Sequence, residues 1–150
     1  MWQRIQTVFL VITILALLVA LVQPIWQVQD GDISVVLTPF YLLKGTEYTY
    51  LPYTITAVLA VAAITLAIFE IRRYDNRQTQ IKLGALNTLI LACYMISAVW
   101  FASKLTEQYP FNFKYGLGLY LTFVAVICNW LAIRFIRRDE RIVKDSNRIR

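Results

Sequence analysis

Few residues in this 150-residue chain carry the chemistry of a catalyst. There is no histidine, so the commonest general base and the commonest metal ligand are missing. Cys93 and Cys128 both fall inside apolar runs, without CxxC or Cys/His spacing. Such thiols act as small packing residues. Ser103-Lys104 has the composition of a serine–lysine dyad, but adjacent helical residues do not face each other and no second base stands near. No phosphate-binding loop, dinucleotide fingerprint, zinc-protease motif or nucleophile elbow occurs. The expectation is a protein that is not an enzyme and has no cofactor-binding or metal site.

Two sets of polar residues remain. The first is cationic: Arg4, Arg72, Arg73, Arg77, Arg137, Arg138 and Arg141. Guanidinium groups beside apolar runs suit anionic lipid headgroups or a partner's acidic groups, or serve only to set topology. The second set is Asn87 and Asn129, each within an apolar run. An amide buried in lipid is costly unless it finds a partner. An interhelical hydrogen bond is the ordinary reading, and a substrate contact the alternative. Thr13, Thr56, Thr65, Thr88, Ser97 and Thr122 are polar residues of the same setting.

The elements that must hold these residues follow from composition. The chain is 59% hydrophobic and 16% charged, and a soluble domain of this size could not bury so much apolar surface. Residues 5–29, 48–69, 83–103 and 115–133 contain no charge. Each is long enough to cross a bilayer as a helix, for which roughly 20 residues are needed. The runs are continuously apolar rather than alternating, which excludes a β-barrel. The predicted fold is an all-α membrane protein, a four-helix bundle in a single integral membrane domain. Its spans cover about 5–23, 52–71, 83–103 and 116–136, with an outer loop over 24–51 and a tail over 137–150. The first run reads as a retained anchor rather than a cleaved signal, since no A-x-A site follows Leu21-Val22-Gln23-Pro24.

Within the outer loop, residues 25–29 and 33–37 are β-prone runs about Asp30-Gly31-Asp32, which predicts a small β-hairpin. Pro39 ends the second run, Gly45 marks a turn, and Pro52 suits the first turn of the second helix. Phe40, Tyr41, Leu42 and Leu43 are expected on the membrane or the bundle. Beyond the last span, Phe135, Ile142 and Ile149 recur every seven residues beside Ile136 and Val143. That spacing predicts a helical C-terminal extension with a narrow apolar stripe.

Of the fifteen Lys and Arg residues, only Lys44, Lys104 and Lys114 fall on the side of the outer loops. The positive-inside rule then places both termini and the loop EIRRYDNRQTQIK, residues 70–82, in the cytoplasm. Trp26, Trp100, Tyr48, Tyr50, Tyr53, Tyr109 and Tyr115 gather at the opposite interface. Glu70 and Arg134 lie at cytoplasmic helix ends, where long side chains are expected to snorkel to water.

The pattern LAIxxIRR occurs at Leu66–Arg73 and again at Leu131–Arg138. It is compatible with a tandem repeat of two parallel-oriented hairpins, and equally with convergence of two inward-ending helices. Small residues four apart, Ala63/Ala67, Gly84/Thr88 and Ala98/Ala102, permit close helix contact.

The start Trp2-Gln3-Arg4-Ile5-Gln6-Thr7 and the end, Arg137-Arg138-Asp139-Glu140 followed by Val143-Lys144 and Asn147-Arg148-Ile149-Arg150, resemble a family over the whole chain. This is domain of unknown function 4293, small multi-pass proteins of Bacteroidota. The resemblance implies four spans in a Gram-negative inner membrane and supplies no catalytic residues. The functional expectation is a non-catalytic accessory or scaffold subunit acting through helix packing and a basic cytoplasmic face. A small oligomeric transporter or channel is the alternative. The partners expected are the bilayer, anionic lipid headgroups, and a larger membrane complex or a second copy, not nucleic acid.

Overall fold

A computed structural model describes residues 3–30, 33–73 and 76–148. In chain order the elements are α1 (Gln3–Val22), β1 (Trp26–Asp30), β2 (Ile33–Leu37), β3 (Leu42–Lys44), β4 (Glu47–Thr49), α2 (Thr54–Arg72), α3 (Arg77–Gln108), β5 (Phe113–Tyr115) and α4 (Leu117–Arg148). All four helices are long and apolar enough to cross a membrane. α1 lies chiefly on α4, α2 on α3, and α3 on α4.

Each helix buries one seam with a repeat of three and four residues. On α1 it is Gln6, Leu10, Thr13, Leu17 and Ala20. On α2 it is Thr56, Ala60, Ala63, Ala67 and Glu70. On α3 it runs Gln80, Gly84, Asn87, Leu91, Tyr94, Ala98 and on to Leu105. On α4 it is Thr122, Ala125, Asn129, Ala132, Ile136 and Asp139. A 3.5-residue period is that of left-handed, coiled-coil-like packing. The seam is rich in small and polar residues, whereas Val8, Leu15, Val58, Leu89 and Phe123 point outward. Apolar side chains gain little by leaving lipid for protein. Close backbone approach and interhelical hydrogen bonds therefore decide which face is buried.

The all-α expectation is incorrect. Five strands form one antiparallel sheet in the order β4-β3-β2-β1-β5. The β1–β2 hairpin has the expected strands, with Asp30 opposite Ile33; Gly31 and Asp32 lie outside the described residues. Pairing then extends on both edges. Leu42 and Leu43, expected on the membrane or the bundle, belong to β3, which pairs with β2. β5 follows α3 and pairs with β1, bringing Trp26 opposite Tyr115 and Val28 opposite Phe113. Gly45, at φ 59°, makes the β3–β4 turn.

One face of the sheet is dry. Trp26, Val28, Val35, Leu37 and Leu42 pack on Ala98, Phe101, Ala102 and Leu105 of α3. The opposite face carries the exposed Gln27 and Gln29, the alternation of a sheet with one face covered. Thr106 of α3 accepts a hydrogen bond from Trp26 Nε1 at 3.0 Å. α3 is 32 residues long, and its last turns form the support for the sheet.

Two equal hairpins are not observed. α1 and α2 have 20 and 19 residues and four strands between them, whereas α3 and α4 have 32 each and one strand. The repeated LAIxxIRR ends therefore terminate two unlike units.

Sheet and bundle meet where α4 crosses the end of α1. The Gly116 and Gly118 amides donate to the carbonyls of Ile25 at 2.9 Å and Pro24 at 3.0 Å. A side-chain carbon at Gly116 would overlap the Pro24 carbonyl, and one at Gly118 would stand 2.8 Å from the Gln23 carbonyl. Both obstacles are backbone, which does not yield as a side chain does. Gly116→Ala should therefore cost about 1–3 kcal/mol or more, read as a lowered thermal midpoint of the detergent-purified chain. An unchanged midpoint would show that this crossing is looser than described.

Candidate functional site

The polar groups expected to matter concentrate at the end of the bundle opposite the sheet. Here α2 ends, α3 begins, and α1 and α4 run past them. Asn76 caps α3 by accepting from the Thr79 amide at 3.1 Å, which fulfils a donor that the first helical turn leaves unpaired. One turn further, Gln80 Nε2 donates to the Glu70 backbone carbonyl at 2.9 Å, tying α3 to α2. Gln6 Nε2 donates to Asp139 Oδ2 at 2.8 Å, tying α1 to α4. An Arg77 guanidinium nitrogen donates to the Asp139 carbonyl at 3.1 Å, tying α3 to α4.

The seven cations of the sequence reading do not form one face. Arg77 is half-buried and committed to Asp139. Arg72 and Arg73 are exposed and line a groove of about 440 Å³ with Phe69 and Asn76. Arg137, Arg138 and Arg141 line a separate groove of about 710 Å³ with Ala85 and Thr88 of α3 and Trp130, Ile133 and Arg134 of α4. The side chain of Arg4 lies outside the described residues. Arg134, at the expected helix end, sits over the Trp130 ring with its guanidinium carbon 5.4 Å from the centroid. Positions 130, 134, 137, 138 and 141 fall on one helical face, so the groove carries a column of guanidinium groups with an aromatic at its inner end.

Deeper in the bundle, the two asparagines find each other. Asn87 Nδ2 donates to Asn129 Oδ1 at 3.0 Å, and Asn129 Nδ2 donates to Thr88 Oγ1 at 2.9 Å and the Gly84 carbonyl at 3.4 Å. Both are fully buried. Ser103 and Lys104, at the sheet end, form no dyad; the Lys104 ammonium lies 4.1 Å from the Trp100 centroid.

Glu70 is the residue that sequence reasoning misplaced. Expected to snorkel, it is 0% exposed. Neither carboxyl oxygen has a hydrogen-bond partner among the described residues. Its Oε1 would stand 2.9 Å from a side-chain carbon on Gly84. The signal was its phase: Glu70 continues the spacing of Thr56, Ala60, Ala63 and Ala67, and so belongs to the seam rather than the lipid face. Asp139 occupies the corresponding phase on α4.

The architecture is that of four helices long and apolar enough to cross a membrane, carrying a five-stranded antiparallel sheet at one end and a polar clasp at the other. The chain belongs to the family described as Domain of unknown function (DUF4293), whose model matches residues 2–149. No curated protein matches it.

The asparagine pair makes a test of the seam. Asn129→Leu leaves Asn87 buried without a partner and should cost about 1–3 kcal/mol. Replacing both by Leu should cost less than that single change, because no orphan amide remains. Thermal unfolding of the three variants in one detergent checks this, and a double variant weaker than Asn129→Leu would contradict it.

Proposed function

We propose that this chain is a non-catalytic, multi-pass protein of a bacterial inner membrane, an accessory or scaffold subunit of a larger membrane assembly. The polar clasp faces the cytoplasm with both termini, and the sheet lies on the far side. The positive-inside asymmetry supports this orientation, since Lys44, Lys104 and Lys114 are the cations at the sheet end.

The observation that carries the reading is the outer face of α4. Arg134, Arg137, Arg138 and Arg141 are all exposed along one groove, with Trp130 at its inner end. Beside them on the extension of α4, Ile142 and Val143 are exposed at 55% and 45%. Aromatic and Arg anchors next to bare aliphatics are the composition of an interface centre. The alternative, a small oligomeric transporter or channel, has less support. Asn87 and Asn129 are sealed within the seam, so a solute path lined by them would require the bundle to open.

The test is recovery of the chain from native membranes in mild detergent. Other membrane proteins should co-purify with the wild-type chain and be lost from Arg137→Glu/Arg141→Glu, while the variant keeps its thermal midpoint. Recovery of this chain alone, from wild type and variant alike, would contradict the reading.

A further inference from the structure

The buried polar groups around Gly84 hold more acceptors than donors. Glu70 enters from α2 with its carboxyl against Gly84. Asn87 stands one turn further along α3, and helical side chains lean back over the preceding turn. Its amide is bonded to Asn129, which itself reaches the Gly84 carbonyl. Glu70 thus meets Gly84 directly, and Asn87 is joined to the same glycine through Asn129. Glu70 and Asn87 are both 0% exposed. Glu70 Oε1, Glu70 Oε2 and Asn87 Oδ1 accept no hydrogen bond from any described residue.

The polar side chains of the described residues around Gly84 bond to other groups. Asn129 Nδ2 serves Thr88 and Gly84, the Thr88 hydroxyl serves the Gly84 carbonyl, and Gln80 serves the Glu70 backbone. Among the described residues, Lys82 of α3 and Arg137, Arg138 and Arg141 of α4 are exposed. Arg72 and Arg73 on α2 are exposed. Arg77 on α3 bonds the Asp139 carbonyl, Asp139 on α4 accepts from Gln6 of α1, and Arg134 lies over Trp130. A lone carboxylate enclosed in this way is strongly unfavourable unless a positive charge accompanies it.

We propose that Glu70 and Asn87 form a binding site for a monovalent cation, Na⁺ or a proton, at the point where α2 and α4 meet Gly84 of α3. The available donors are all oxygens, the preference of a hard cation rather than a transition metal. One carboxylate matches one positive charge, whereas a divalent ion would leave a net charge buried. Gly84 lets the carboxyl come this close, since a side-chain carbon there would stand 2.9 Å from Glu70 Oε1. The site is independent of the scaffold reading, because it needs no partner protein.

The experiment treats the purified full-length chain in detergent with dicyclohexylcarbodiimide, which modifies carboxyl groups that exchange a proton inside apolar surroundings. Labelling is followed by intact mass and peptide mapping across a series of pH values, in sodium chloride or choline chloride. One adduct on Glu70 is expected, absent from Glu70→Gln. Suppression by sodium chloride but not by choline chloride identifies Na⁺ as the occupant. Indifference to sodium with loss of the adduct as pH rises identifies the proton. The thermal midpoint is measured in parallel, and the wild-type midpoint should move with the same variable while that of Glu70→Gln stays flat. Asn87→Leu keeps the carboxyl and should weaken the dependence. A wild-type chain whose labelling and midpoint respond to neither sodium nor pH, or respond as Glu70→Gln does, would overturn the proposal.

Discussion

The close approach of three helices at Gly84 sets the geometry of the clasp end. With no side chain of its own, Gly84 admits Glu70 from α2 and Ile133 from α4 to the same point; a side-chain carbon there would stand 2.7 Å from Ile133 Cγ1 and 2.9 Å from Glu70 Oε1. That proximity lets Asn129 reach the Gly84 carbonyl, Thr88 and Asn87 together. It also encloses Glu70. In a bilayer this kind of contact can outweigh hydrophobicity, because lipid and protein interiors are equally apolar and only packing and polar pairing distinguish them. The seams follow the same logic throughout: Ala60, Ala63 and Ala67 let α2 approach, and Thr13, Thr122 and the asparagines bond across or along the helices.

At the opposite end a different rule holds. The sheet has one covered face, and burial against α3 follows ordinary alternation, with Trp26 as the central residue. Trp26 is bonded to Thr106 and stacked on Phe113, with 6.3 Å between the ring centroids. It thereby joins β1, β5 and α3. The Gly116 and Gly118 contacts to Pro24 and Ile25 fix the start of α4 against this unit. The molecule is held at both ends by glycines that permit backbone or carboxyl to come close, and between them by a seam of small residues.

Much of this was legible beforehand. Four apolar runs bounded by charge mark four helices, and Asp-Gly between β-branched runs marks the β1–β2 hairpin. The remaining strands were not legible, because β3, β4 and β5 are three residues each, too short for a period to register. β5 moreover finds its partner across most of the chain. The candidate site was legible in part. Asn87 and Asn129 announce themselves as amides among aliphatics. Glu70 did not, because its place near a helix end suggested water, and only its phase relative to the alanines reveals the seam. Arg77 misled in the opposite direction: it sits in a basic loop by sequence, yet it turns inward to Asp139.

The clasp end depends on Gly84 being the tight point of the bundle, with Glu70 directly against it. A double-mutant cycle between these two positions measures that contact. Gly84→Ala should lower the thermal midpoint of the purified chain by several degrees, in keeping with about 1–3 kcal/mol for overpacking. The same change made in a Glu70→Ala background should cost clearly less, because the carboxyl that it displaces is gone. Equal losses in the two backgrounds, or no loss in either, would show that Glu70 does not pack against Gly84.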